Sequence, residues 1–491
     1  MKRTDPESGN GFQKQVHSHT SVMVVVTCLV VCLIVAGWAQ PSWAMMSPKE
    51  EKELGKEFFL KVKEQVKFVN DQAVSNYVEK IGQNLVSTVE NPPFEVQFYV
   101  IDDPGLNAFA APGGYVFIFT GIILLSENES QLASVIAHEL GHVVERHIAK
   151  RIEKSTKVNI ASAIGMLAGL LIGGPVAGAL MVGSMAANVQ TQLMYSRADE
   201  EEADFMGLTF MTAAGYNSAA MPEMMKRMGH ETKWLGSSNV PTYLLTHPDT
   251  QDRMIYLSNY IKSKSYPVQL TKQKAHESTF QDIKTRVESE YLDAQLAERR
   301  FMNRIKQNPM DKMAYLGLGL VYARTGKNEE ALEELKKAVK IDPADPAILS
   351  SLGRTYFNLN QYDRAKECLS QSVVMRPDFA ETLYYLGRVD QELGYSAEAI
   401  KLFNRVLALD KNYTDTFYNL GILYGKEGKI GLASYNLAKY YRAKGDHKNA
   451  LYHFERALEY IKSDPAKTEE INKEIKSLKK DQKKKWDSSV I

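Results

Sequence analysis

"ASVIAHELGHVVERH", residues 133–147, sets His138, Glu139 and His142 within little more than one helical turn. Imidazoles four residues apart leave the same face of a helix. Leu132, Val135, Ile136 and Val143 around them are apolar, so the run reads as a helix from near Ser126 to about Lys150. On such a helix two neutral imidazole nitrogens reach one zinc ion at ~2.0–2.1 Å. Glu139 then lies beside the ion. It is placed to take a proton from water that the ion polarises and to pass it to the leaving amine of a peptide. The pattern points to metal-assisted hydrolysis.

Two histidines need a third protein ligand, with a fourth position left open. His147 is five residues past His142, about 140° around a continuous helix, and reads as a structural or supporting residue. The acidic run "SRADEEEADFMG", 196–207, is the better source, and it also looks like a helix start. Spacing does not choose among Asp199, Glu200, Glu201 and Glu202. Glu200 has Asp204 one turn further on the same face, where it can accept the Nδ1–H of a zinc histidine. Acids at a helix N-terminus are also favoured by the helix dipole alone.

Upstream, 47–91 reads as helical, with Leu54, Phe58, Val62 and Val66 and then Tyr77, Ile81 and Leu85 at helical spacing. "FEVQFYVI", 94–101, alternates as a half-buried strand, and "GGYVFIFTG", 113–121, reads as a second strand just before the histidine helix. The backbone of that second strand is a natural edge for an extended substrate, with Asn107, Gly113 and Gly114 lining it. A tight turn explains the two glycines equally well.

Residues 22–39 form an uncharged apolar run, and Ser42-Trp43-Ala44 fits a signal-peptidase site, so export with cleavage after Ala44 is expected. The alternative is an uncleaved inner-membrane anchor, at the short end of the spanning range. From Val158 to Ser196 no charge occurs, and Gly173-Gly174-Pro175 breaks the stretch. Each half is too short to span a ~30 Å hydrocarbon core. It reads as a helical hairpin, buried on the first domain or making peripheral membrane contact.

The second half repeats every 34 residues: Gly319, Gly353, Gly387 and Gly421; Ala331, Ala365, Ala399 and Ala433; Leu318, Leu352, Leu386 and Leu420. Pro309, Pro343 and Pro377 keep the same step. This is the tetratricopeptide period, two antiparallel helices per unit. Residues 297–309 match the second helix of a unit without a clear first one, and 17 residues beyond Ala433 the match at Ala450 adds a half-unit. The tail 461–491 is rich in Lys and Glu and reads as solvated. Net charge is +1, so no nucleic-acid partner is expected. Of the three cysteines, Cys28 and Cys32 lie in the apolar run, so a mature chain would keep Cys368 alone and no internal disulfide.

"NAFAAPGGYVFIFTGIILL", "IAHELGHVVERH", "SRADEEEADFMG" and "THPDTQDR" together resemble the gluzincin family of HtpX-type heat-shock proteases and CaaX prenyl endopeptidases. With the export signal and the repeats, the domain order is similar to periplasmic BepA-type proteases. The family pattern HExxH…ExxxD implies His138, His142 and Glu200 as ligands of one zinc ion per chain. It implies Glu139 as catalytic base and Asp204 as the partner of a ligand histidine. It also brings "THPDTQDR" to the active site. His247 would donate to the oxyanion or occupy the open metal position and hold the enzyme inactive, and Arg253 would bind substrate or pair with Asp204.

The expected fold is an α+β metalloprotease domain over 45–262, mostly helical with a small sheet beside the zinc helix, then a linker over 263–290. An all-α tetratricopeptide solenoid over 291–460 and the charged tail follow. The expected function is periplasmic, zinc-dependent cleavage of misfolded or stalled proteins. The resemblance places it in outer-membrane protein quality control, with the repeats holding clients or assembly machinery. The alternative is a chaperone or assembly scaffold whose protease domain is self-inhibited.

Overall fold

The computed structural model describes residues 46–154, 169, 195–235, 242–247, 250–264, 273–461 and 464–489. The expected export signal and all of the 158–196 hairpin except residues 169, 195 and 196 lie outside them. No helix among the described residues is long and apolar enough to cross a membrane.

The first half is α+β. Helices α1 (Pro48–Gln65) and α2 (Gln72–Val86) precede a three-stranded sheet of β1 (Gln97–Ile101), β2 (Ala108–Ala111) and β3 (Tyr115–Phe119). The expected single helical region over 47–91 is thus two helices. The chain between them runs extended and bridges Phe68 to Ile101. The sheet order is β1-β3-β2, with β1 parallel and β2 antiparallel to β3. Phe58 and Phe59 of α1 pack against Phe117 on one face of the sheet. On the other face Phe98, Val100, Val116 and Ile118 join the core formed with the histidine helix.

After α3 (Thr120–Leu125) comes the histidine helix α4 (Glu129–Val144), capped by Asn128, which accepts from Gln131 N at 3.0 Å. It ends six residues earlier than expected. Glu145 closes it, Arg146 adopts φ 54°, and α5 (His147–Lys154) starts in a new direction. A left-handed residue other than glycine costs roughly 1–2 kcal/mol. Arg146 is held there by Glu51, 2.7 Å from its Nε, and by the Met46 carbonyl.

Helix α6 (Arg197–Ala214) opens on a capping box between Ser196 and Asp199. It lies close against α4 because both helices are small where they meet. A Cβ on Gly141 would stand 2.8 Å from Ala203 O, and one on Gly207 would stand 3.2 Å from Ala137 O. The glycine inside HELGH therefore sets the approach that brings the acidic helix to the histidines. Helices α7 (Ala220–Leu235), α8 (Thr242–Thr246) and α9 (Thr250–Lys264) complete this half.

Most of the linker expected over 263–290 is helix: α10 spans Gln273–Tyr291. Phe280, Ile283 and Val287 lie buried in the first-half core, while α10 also packs against α12 of the array. It is the missing first helix of the first repeat unit. The solenoid continues with α11 (Ala294–Gln307), α12 (Lys312–Arg324), α13 (Asn328–Ile341), α14 (Pro346–Asn358), α15 (Tyr362–Met375), α16 (Ala380–Glu392), α17 (Ser396–Leu409), α18 (Thr414–Lys426), α19 (Ile430–Ala443) and α20 (His447–Tyr460). The repeated glycines meet large side chains of the paired helix: Gly319 meets Leu335, Gly353 meets Leu369 and Gly387 meets Phe403. The charged tail forms α21 (Pro465–Ser489), which buries Ile471 and Leu478 against α20 and so covers the end of the array.

Candidate metal centre

Helix α4 presents His138, Glu139 and His142, and α6 presents Glu200 and Asp204 one turn apart. The residue after α8 is His247, and Arg253 stands in the first turn of α9. All seven are at most 4% exposed. Donor atoms of His138, His142, Glu200 and His247 lie within 4.8 Å of one another. His138 Nε2 is 3.1 Å from His142 Nε2 and 3.5 Å from Glu200 Oε2. His247 Nδ1 is 2.8 Å from Glu200 Oε1 and 3.3 Å from His138 Nε2.

Among the acids of the run, only Glu200 points its carboxylate into this group. Asp199 pairs with Arg151, and Glu202 accepts from His147. Asp204 lies behind His138, with Oδ1 2.8 Å from Nδ1. Arg253 holds Asp204 through two hydrogen bonds of 2.8 and 2.7 Å and reaches Glu200 Oε2 with its third nitrogen at 2.5 Å. Tyr256 also donates to Asp204. Of the two uses open to Arg253, the structure therefore has the ion pair.

The electrostatics follow from burial and pairing. Burial drives His142 well below the ordinary imidazole value, keeping it neutral as a ligand must be. Burial and Arg253 also press on His138, but the Asp204 and Glu200 carboxylates outweigh them and raise it to about 9. A cation at Nε2 would displace that proton. Burial alone would raise both ligand-side acids. His247 and Arg253 instead hold Glu200 well below the carboxylate range, and Arg253 with His138 holds Asp204 at about 2. Glu139 is the exception: burial raises it, and neither of its oxygens has a hydrogen-bond partner. One neutral imidazole, a second whose proton a cation would displace, one ionised carboxylate and the Glu139 carboxyl beside them match the donor chemistry of zinc.

The expected substrate edge needs correction. β3 is the central strand, paired on both sides, and offers no free edge. Gly113 and Gly114 form the β2–β3 turn with φ 77° and 92°, and a Cβ on Gly113 would meet the α1 backbone 3.0 Å away. They serve the turn. Asn107 is buried, and its carbonyl accepts from Phe119 N at 3.1 Å. The edge beside the histidine helix is β2, whose Ala110 N–H lies close enough to Glu139 to favour its ionised form.

Two residues here, Tyr195 and Tyr243, carried no assigned role in the sequence reading, and a third, His147, read as structural or supporting, lies beside them. The Tyr195 ring stacks on His142 at 3.8 Å, and Tyr243 stacks on His247 at 4.5 Å. His147 Nδ1 lies 2.8 Å from His142 Nδ1, because the break at Arg146 turns α5 back towards α4. Only an aromatic residue just before the acidic run would have hinted at Tyr195.

Comparison with known proteins agrees with this division of the chain. Residues 72–261 match Peptidase family M48, and residues 319–360, 351–414 and 432–464 match tetratricopeptide repeats. The chain thus carries a peptidase M48 domain followed by a repeat array. A Vibrio cholerae relative is 32% identical over 260 residues, 49% of this chain and 53% of its own length. The beta-barrel assembly-enhancing protease of Escherichia coli K12 is 31% identical over 212 residues, 43% of either chain. The mitochondrial metalloendopeptidase OMA1 of Arabidopsis thaliana is 31% identical over 185 residues, 38% of this chain and 36% of its own. The chain spans about half the length of the curated relatives it matches.

Proposed function

We propose that the chain is a zinc-dependent endopeptidase of the periplasm that cleaves unfolded or stalled proteins during outer-membrane protein assembly. The observation that carries this is the buried group of His138, His142, Glu200 and His247 donors with the unpartnered Glu139 carboxylate beside it. The M48 match and the names of the relatives support the reaction class and the setting.

His138 Nε2, His142 Nε2 and Glu200 would hold the ion. When bound, zinc supplies Lewis acidity, lowering the pKa of water towards ~7 and polarising the scissile carbonyl. Glu139, raised by burial, takes the proton as the water oxygen bonds to the carbonyl carbon. It returns that proton to the nitrogen as the carbon–nitrogen bond breaks. Asp204 fixes the tautomer of His138, and Arg253 keeps Asp204 ionised. An extended client pairs with the β2 edge, which selects backbone over side chain and suits clients of varied sequence. The repeat array supplies the surface that holds the client or the assembly machinery.

A second reading is favoured by the position of His247, inside the donor group and fully buried. In that state the fourth position is filled and the chain acts as a scaffold until His247 leaves. Assays of an unfolded β-barrel protein with wild type, Glu139→Gln and His247→Ala separate the two. We expect cleavage to vanish in Glu139→Gln and to rise in His247→Ala. Equal cleavage by wild type and Glu139→Gln refutes the base, and metal analysis finding no zinc in any of the three refutes the centre.

A further inference from the structure

The geometry points to His147 and Glu202 as a positioning pair for the metal centre: an imidazole-to-carboxylate relay that orients His142 as Asp204 orients His138. This rests on the metal reading above.

The proton inventory fixes the relay. His142 Nε2 faces the other donors, 3.1 Å from His138 Nε2 and 3.5 Å from Glu200 Oε1. A lone pair there for a cation puts the one proton of the neutral ring on Nδ1. That proton points at His147 Nδ1, 2.8 Å away, which must then accept it. His147 therefore carries its own proton on Nε2, and Nε2 lies 3.1 Å from Glu202 Oε2. Every proton in the chain has an acceptor. The reverse arrangement would set the His147 Nε2 lone pair against a carboxylate, so Glu202 dictates the tautomers of both rings from the outside inward.

The backbone supports a dedicated role. Had α4 continued past Val144, His147 would have faced about 140° away from His142. The left-handed Arg146, held by Glu51, makes the contact instead, and His147 is only 1% exposed as a result. The two supports differ in depth. The Asp204 side chain is fully buried, whereas the Glu202 side chain is half exposed at 50%. His142 is thus tied through one extra ring to a carboxylate that water reaches.

The test is zinc affinity of the full chain by competition with a chromophoric chelator at fixed pH, with thermal melts of the metal-free proteins alongside. His147→Ala is expected to weaken zinc binding about 10–100-fold. His147→Asn sets an amide oxygen where Nδ1 stood and is expected to recover most of that loss. Glu202→Ala, at an exposed side chain that leaves folding intact, is expected to weaken binding about 10-fold, the low end of the range for such partners. The inference is overturned if His147→Asn binds as weakly as His147→Ala while melting like wild type. It is also overturned if Glu202→Ala matches wild type. Should His147→Ala fail to fold, the other two variants decide. Wild type that takes up no zinc overturns the metal reading itself, whereas wild type that binds beside unchanged variants overturns the relay alone.

Discussion

The peptidase half and the repeat half differ in what they add to an apolar interior. In the array one contact recurs: a glycine of the first helix against a Leu or Phe of the second, at Gly319–Leu335, Gly353–Leu369, Gly387–Phe403 and Gly421–Leu437. Stability there is apolar, local and shared among units. In the peptidase half the residues that matter occur once, and many are charged. His138, Glu139, Glu200, Asp204, His247 and Arg253 are packed together out of water. Ionised groups in such a place are held by each other and by fixed hydrogen bonds. The array is built for persistence and the site for chemistry, and substitutions should separate the two.

The largest separation is expected at Glu139. Glu139→Gln removes the proton acceptor beside the donor group, whose Oε1 stands 3.5 Å from His247 Nε2, so peptide cleavage should fall about 10²–10⁴-fold. The melting temperature should hold or rise, because a buried acid is lost. A drop in stability parallel to activity would break the contrast. Phe403→Ala is expected to do the converse. It empties a fully buried site between α16 and α17 and should destabilise the array by about 3–5 kcal/mol. Hydrolysis of a short peptide at low temperature should be unchanged, since that site touches only neighbouring helices.

Two acids give opposite pH signatures. Asp204 sits at about 2 in the folded chain, below its ordinary value. Its contribution is present above pH ~4 and is lost as pH falls towards 2. Asp282 of α10 is raised to about 7, by burial first and then by the nearby Asp345, against Arg376. The folded state then holds the proton more tightly than the unfolded one between pH ~4 and ~7, so stability falls as pH rises through that window. Asp282→Asn should remove that slope and raise stability at pH 8 relative to wild type. Melts of both proteins from pH 4 to 8 check this, and parallel curves would contradict it. The smallest effect is expected at Lys56, whose ion pair with Glu53 spans 2.7 Å between side chains more than half exposed. Lys56→Ala should leave the melting temperature unchanged.

The legibility of the sequence divides along the same line. The array could be read because its contacts repeat, and α11 through α20 fall where the glycine and alanine columns place them. The exception is α10, where Lys284 and Thr285 stand 34 residues before the Leu318-Gly319 pair and erase the column. The histidine spacing announced a metal site, but the choice of Glu200 over its neighbours needed the family pattern, since all four acids suit a helix start. Nothing local signals a left-handed arginine, so the turn that brings His147 to His142 was not visible. Strand order is likewise a tertiary property: 113–121 reads as a strand, but its place between β1 and β2 depends on residues far from it.

One helix leaves no place to cut this molecule in two. Phe280, Ile283 and Val287 of α10 fill the peptidase interior, while Ser289 donates to Gly317 O in the array and Arg286 joins Asp71 at the start of α2 to Glu381 of α16. Truncation before α10 would open a hole in the hydrolytic half, and truncation after it would strip the solenoid of its first layer. The halves are therefore expected to melt together as one cooperative body, and whatever pulls on the repeats strains the enzyme at the same moment.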